Sequence, residues 1–201
     1  MHKSNIFILS AASGTGKTSL ARALVERLPD VTLSISHTTR APRPGERNGE
    51  HYYFVAPAEF QAMIDRGEFL EHAEVFGNRY GTARAAVERI LAKGKRVIFD
   101  IDWQGARAIK REWPQAQAIF LLPPSRATLE RRLRGRGQDK PDVIARRMQA
   151  AVDEMRHHDE FDYAIVNDDF DRALADLEAI VNGKPYERRA LTLDIEALFR
   201  A

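Results

Sequence analysis

The chain has no cysteine, which excludes disulfides and thiolate metal sites and suits a reducing compartment. It also lacks any run near the roughly 18 apolar residues that span a bilayer. Its first ten residues, "MHKSNIFILS", hold too short an apolar stretch for a secretory signal and no small-residue cleavage pattern. A strong excess of one charge is missing too, since the net charge is only +2. With 44% hydrophobic and 30% charged residues, the composition is that of an ordinary soluble globular protein. Internal repeats and low-complexity segments are absent. These absences point to a cytoplasmic enzyme or binding module with no membrane partner. Its 201 residues are enough for one sizeable core with smaller inserted lobes.

What is present alternates. "NIFILS" reads as a buried strand. Leu20, Ala21, Leu24, Val25 and Leu28 then recur at helical spacing until Pro29. Val31, Leu33 and Ile35 alternate with Thr32, Ser34 and Ser36 as a half-buried strand. Strand, loop, helix, strand is a βαβ beginning. Further strands are expected in "RVIFDID", "AIFLL" and "YAIVN", and helices in "GARAIKREW", after Ser125, along Ile144, Met148, Val152 and Met155, and in "DRALADLEAIVNG" with Gly183 as its left-handed cap. Residues 37–82 break the rhythm. Loop and strand come first, then a short helix opened by Pro57 and closed by Gly67, then a hairpin in "FLEHAEVFGNRYG" turning at Gly77-Asn78. The expected fold is α/β, a mostly parallel sheet flanked by helices with an antiparallel or mixed insert.

Chemistry concentrates first in "ILSAASGTGKTSL", residues 8–20, where a strand gives way to a helix. Gly14 and Gly16 let backbone N–H groups turn inward around a phosphate at the helix N-terminus. Lys17 would reach the β- and γ-phosphates, and the Thr18 hydroxyl would bind Mg²⁺. The full pattern has glycine where Ala11 stands, so Ala11 is required to have negative φ. The bland alternative is a glycine-rich turn with Lys17 solvated, but a cation there opposes the helix dipole unless an anion sits beside it.

Asp100 and Asp102 close the "VIFDID" strand at the end where open α/β sheets bind ligands. Each is either a metal-side carboxylate or a helix-capping aspartate. From Arg126 to Arg147 there are eight basic residues against three acids, either a solvated helix face or a patch that attracts phosphate on a nucleic acid or a nucleotide. No aromatic residue lies in that segment to stack on bases, so a mobile lid over phosphates fits it better than a nucleic-acid stripe. Glu71 is expected on the face of its strand that carries Phe69, Ala73 and Val75. A carboxylate there either accepts the two adjacent donors of a guanine edge or pairs with a neighbouring arginine. Ser36, Arg40, Arg43, Tyr52 and Tyr80 lie close enough in the pattern to hold a monophosphate. His51, His72, His157 and His158 have no metal-ligand spacing.

Taken together, "SISHTTRAPRPGERNGEHYYFV", "FLEHAEVFGNRYGT", "DIDWQGA", "LPPS", "RLRGRG" and "IVNDD" resemble bacterial guanylate kinase over about residues 5–182. The resemblance implies a P-loop nucleoside monophosphate kinase fold in one domain: a core of residues 1–36, 83–125 and 148–201, a GMP-binding lobe of 37–82 and a lid of 126–147. It implies transfer of the ATP γ-phosphoryl group to GMP with Mg²⁺, acceptance of dGMP, and no nucleic-acid partner. It leaves a homo-oligomer open. Carried over residue by residue, ATP falls on Ala11, Ala12, Ser13, Gly14, Thr15, Gly16, Lys17, Thr18, Arg132, Arg136 and Asn167. GMP falls on Ser36, Arg40, Arg43, Tyr52, Glu71, Tyr80, Thr82, Asp100 and Asp102. Lys17, Arg40, Arg132, Arg136 and Arg147 would act in catalysis, with Thr18, and Asp100 as a candidate, toward Mg²⁺. Guanylate-kinase-like domains that only bind peptides have lost such catalytic parts, whereas Lys17, Thr18 and the lid arginines are present here. A kinase for another phosphorylated sugar is opposed by the intact Ser36, Arg40, Arg43, Glu71 and Tyr80.

Overall fold

A computed structural model describes residues 4–75, 77–135, 141–186 and 193–200, with only the backbone at 141 and 142. Five parallel strands form the main sheet in the order β2 (Val31–Leu33), β7 (Arg96–Asp100), β1 (Ile6–Ala11), β8 (Gln117–Leu122) and β9 (Tyr163–Val166). The central β1 is buried along its whole length, as a parallel strand with helices on both faces must be. Alternation along it separates two cores. Phe7 and Leu9 pack with α1 (Lys17–Arg27) and α7 (Phe170–Val181), while Ile6 and Ile8 pack with α3 (Arg84–Ala92) and α4 (Trp103–Glu112). A third cluster joins Ala12 and Phe120 to α5 (Arg126–Arg134), α6 (Pro141–Met155) and α8 (Ile195–Phe199).

Local signals were honoured at most boundaries. The Ser125 hydroxyl accepts the Thr128 N–H at 3.1 Å to cap α5. Gly183, at φ 65°, ends α7 while Lys184 N–H donates to Ala179 O at 2.8 Å. Ile144, Met148, Val152 and Met155 are buried as one stripe of α6. Helix α3 was not anticipated, although Val87, Ile90 and Leu91 face the core at helical spacing and Gly94 (φ 69°) follows its end.

The expected strand over 31–36 stops at Leu33. Beyond it Ser34 and Ser36 are the buried residues and Ile35 is half-buried, the reverse of the alternation read from the sequence. There the chain leaves the main sheet for a second one, of order β4 (Tyr53–Phe54), β3 (His37–Thr38), β6 (Asn78–Ala83) and β5 (Phe69–Val75). It is mixed: β3 pairs parallel to β4 and antiparallel to β6, and β5 and β6 form the hairpin. Gly77 (φ 74°) sits in the turn and Asn78 is already in strand, opposite Val75. Pro57 is the first residue of α2 (Pro57–Asp65) and Gly67 (φ 66°) follows its end. A register shift between Phe69 and Glu71 corrects one expectation. Phe69 turns away to stack on Phe60 beside His37, leaving Glu71 with Ala73 and Val75 on the other face. One extra residue in a strand has this effect.

Candidate active site

The phosphate-loop segment runs from the last residue of β1 to the first of α1. Ala11 is extended, paired with Leu121 in the sheet and 8% exposed, so the missing glycine is not needed for the strand exit. Positive φ falls on Gly14 (93°) and Gly16 (104°). A β-carbon at Gly16 would stand 2.7 Å from Asn167 Nδ2, and one at Gly14 would stand 2.8 Å from Leu133. Both the left-handed backbone and the close packing therefore demand glycine.

Lys17 extends along the carboxyl end of the sheet. Its Nζ lies 2.6 Å from Asp100 Oδ1 and donates to Ile101 O at 2.9 Å. The other Asp100 oxygen accepts the Thr18 hydroxyl at 2.7 Å. Burial alone would lower the Lys17 pKa, but Asp100 outweighs it and holds the ammonium above its ordinary value. Asp102 has the role of the capping alternative: as N-cap of α4 it accepts the Gly105 N–H at 2.8 Å.

Across the cavity stands Glu71, 5% exposed. Its Oε1 accepts the Thr82 hydroxyl at 2.6 Å, and Thr82 Oγ1 lies 3.3 Å from Ser36 Oγ. No arginine pairs with it among the contacts of the described residues. Burial pushes its carboxyl up to about 7, helped by the nearby Asp102 and opposed by the Thr82 hydrogen bond. A buried carboxylate with so few donors is poised to accept more.

A cavity of about 270 Å³ joins these groups. It is lined by Ala11, Ala12, Ser13, Gly14, Gly16, Lys17 and Thr18 on one side, and by Ser36, Arg43, Tyr52, Glu71 and Tyr80 on the other, with Asp100, Asp102 and Arg147 between. Arg40 stands just outside. Its guanidinium holds Glu46 at 2.8 and 2.9 Å and lies over the Tyr52 ring at 5.4 Å, which in turn meets Tyr80 edge-on. Arg132 and Asn167 support the loop from behind: Asn167 Nδ2 donates to Thr15 O at 2.7 Å, and Arg132 donates to Thr15 O and to Asn167 O. Burial, with Arg131 adjacent, lowers the Arg132 pKa. Arg147 Nη2 donates to Ser13 Oγ at 2.8 Å. Arg136 lies outside the described residues.

Two participants escaped the sequence reading. Glu154, on α6, lines the cavity and accepts the Ser13 N–H at 3.0 Å. Gly105, on α4, leaves room for Glu71, because a β-carbon there would come within 2.9 Å of Oε2. The period of α6 put residue 154 beside the buried stripe, and only the packing of α6 against the loop shows what it touches.

A phosphate loop at the carboxyl end of a parallel sheet, facing a small mixed sheet with a buried acid, defines a P-loop phosphotransferase of the nucleoside monophosphate kinase fold. The guanylate kinase family model matches residues 3–184. Curated guanylate kinases from Salmonella typhi and Escherichia coli strain K12 are each 58% identical over 186 residues, covering 92% of this chain and 90% of theirs. The crystal structure of guanylate kinase from Anaplasma phagocytophilum superposes with a TM-score of 0.75 at 36% identity, covering 89% of this chain and 84% of that one. The chain belongs to the guanylate kinase family.

Proposed function

We propose that this protein transfers the γ-phosphoryl group of ATP to GMP, giving ADP and GDP, that the reaction depends on Mg²⁺, and that dGMP also serves as acceptor. The observation that carries the reading is one cavity walled by Lys17 and the loop on one side and by the buried Glu71 on the other. Family membership supports the same activity. A phosphate oxygen of GMP attacks the γ-phosphorus, and the bond from that phosphorus to the β–γ bridging oxygen breaks. The electron pair leaves with ADP. The second pKa of a phosphate monoester is near 6, so the acceptor oxygen is already anionic at neutral pH and no general base is needed. Catalysis is then alignment and charge neutralisation.

In this reading the loop of residues 11–18, with Lys17, holds the ATP phosphates, and Arg132, Arg136 and Asn167 lie around the nucleotide. Arg40, Arg43, Tyr52 and Tyr80 hold the GMP phosphate, while Ser36, Glu71 and Thr82 read guanine. Asp100 and Asp102 stand at the junction, and Arg147 reaches the transferring group. The lobe of 37–82 and the lid of 126–147 close over the core. The Thr18 hydroxyl and the Asp100 carboxylate, 2.7 Å apart, are hard oxygen donors of the kind Mg²⁺ takes. Bound there with phosphate oxygens, the ion would neutralise charge on the transferring group. The cytoplasm is the compartment that fits a cysteine-free chain, and no described helix is long and apolar enough to cross a membrane.

A coupled ADP-release assay over GMP, dGMP, AMP, CMP and UMP, with and without EDTA, tests the reading. Turnover confined to GMP and dGMP and lost with EDTA is expected. Equal turnover with AMP would remove the guanine assignment.

A further inference from the structure

Helix α6 touches the phosphate loop twice through one residue. Arg147 and Glu154 are seven residues apart, two helical turns, and so share a face. Arg147 donates to the Ser13 hydroxyl at 2.8 Å and Glu154 accepts the Ser13 backbone N–H at 3.0 Å. Both side chains line the cavity. An acid facing a cavity that takes phosphates is opposed by like charge. Its presence calls for a balancing contact, and Glu154 has three: the Ser13 N–H, and the charges of Lys17 and Arg147, which act on it from the loop and from its own helix. Burial, with Asp102 across the cavity, nonetheless pushes its carboxyl above the ordinary range. Ser13 N–H, for its part, lies on the loop between Ala12, buried against α5 and α6, and Gly14.

We propose that Glu154 is a positioning residue for phosphoryl transfer: by accepting the Ser13 N–H it fixes the first half of the phosphate loop and keeps it in register with Arg147. The Ser13 N–H is thereby withdrawn from the phosphate cradle, which is left to the N–H groups of the residues that follow. Loss of the acceptor frees a backbone donor at the loop's entry and lets Ser13 and Arg147 drift together. ATP binding and the chemical step suffer, and GMP, held on the far wall, does not. The inference rests on the phosphoryl-transfer reading above.

Three variants test it against wild type, whose own turnover with ATP and GMP tests the underlying reading separately. Glu154→Ala is expected to lower kcat about ten- to thirtyfold and raise the ATP KM severalfold, the effect of one unmet buried hydrogen bond. The GMP KM should stay within about twofold. Glu154→Gln keeps an acceptor oxygen at full reach and should recover activity to within about threefold of wild type. Glu154→Asp keeps the charge but falls short of Ser13 by about one methylene, and should behave like the alanine variant. The proposal is overturned if the alanine variant keeps kcat and the ATP KM, if both substrates' KM values rise together, or if aspartate rescues and glutamine does not. Should the alanine variant fail to fold, the glutamine–aspartate contrast decides alone.

Discussion

A β-carbon placed on Gly105 would stand 2.9 Å from Oε2 of Glu71. The glycine is the third residue of α4, where alanine would favour the helix by about 1 kcal/mol. Propensity and site geometry therefore pull in opposite directions. Gly105→Ala is expected to leave the melting temperature unchanged or slightly raised. It should raise the GMP KM about tenfold, by displacing the carboxylate, and leave the ATP KM within about twofold. Steady-state kinetics with each substrate varied, beside a melting curve, checks this; an unchanged GMP KM would show that Glu71 is not where guanine is read.

Glu71 should also make guanine recognition depend on pH. Its pKa in the fold is about 7, against 4.5 for the free side chain. The native state therefore holds the proton more tightly than the unfolded one. The stability this contributes is fully present below the unfolded value and lost as pH rises through the folded one. A ligand that needs the ionised carboxylate shows the opposite trend and binds more tightly as pH rises through 7. Titration with guanosine, which lacks a titrating phosphate, should give affinity about thirtyfold greater at pH 8 than at pH 5.5. Thr82→Val removes the hydrogen bond that favours the charged form, so the transition should move to higher pH. A flat profile for wild type would contradict the assignment.

The Lys17–Asp100 pair separates stability from catalysis. Lys17→Met leaves Asp100 with Thr18 and without its 2.6 Å cationic partner. A fold weakened by about 2–3 kcal/mol is expected, together with loss of turnover. Adding Asp100→Asn removes the stranded charge and should restore more than half of the stability while restoring no activity. Denaturant unfolding of both variants, with the ADP-release assay, measures the two effects. Stability that falls further in the double variant would refute the pairing argument.

Far from the cavity, Arg96 joins the start of β7 to Asp30 and to the end of α7. It donates to both Asp30 oxygens at 2.8 and 2.9 Å and to Val181 O at 2.7 Å. Asp30 is largely exposed, so the ion pair itself contributes under about 1 kcal/mol, and the Val181 carbonyl adds a similar amount. Arg96→Ala should cost about 1–2 kcal/mol with kcat unchanged. Its hydrogen bonds to Arg96 hold the Asp30 carboxyl below the usual range, so the pair's contribution is present above the unfolded pKa and fades as pH falls through the folded one. An Arg96→Ala protein whose kcat fell with its stability would place Arg96 in the site's support.

Most elements were legible because their signals are local. Pro57, Gly67, Ser125 and Gly183 each mark a helix end through the dihedral or the hydrogen bond of a single residue. Helix α3 carries a weaker signal of the same kind, with Val87, Ile90 and Leu91 at helical spacing and no capping side chain at its start. Alternation continues past Leu33 and predicts strand to 36, but the chain leaves β7 at Leu33, opposite Ile98, to enter the second sheet at His37. Period places Phe69 on the face of Glu71, but a one-residue bulge reverses parity there, and period alone carries no sign of it.

By itself the sequence determined the chemistry available: a loop with Gly14, Gly16, Lys17 and Thr18 between strand and helix, acids at a strand end, and Glu71 on a half-buried strand. The tertiary structure decided what those groups do to one another. It separated Asp100, which bridges Lys17 and Thr18, from Asp102, which caps α4, although only Ile101 lies between them. It brought Glu154 to Ser13 across 141 positions of chain and set Gly105 against Glu71. Local propensity acts over a few residues, and contacts of this reach exist only once helices pack on the sheet. For that reason what Ala11 costs the loop shows only in the fold, where its pairing with Leu121 makes the strand exit indifferent to a methyl group.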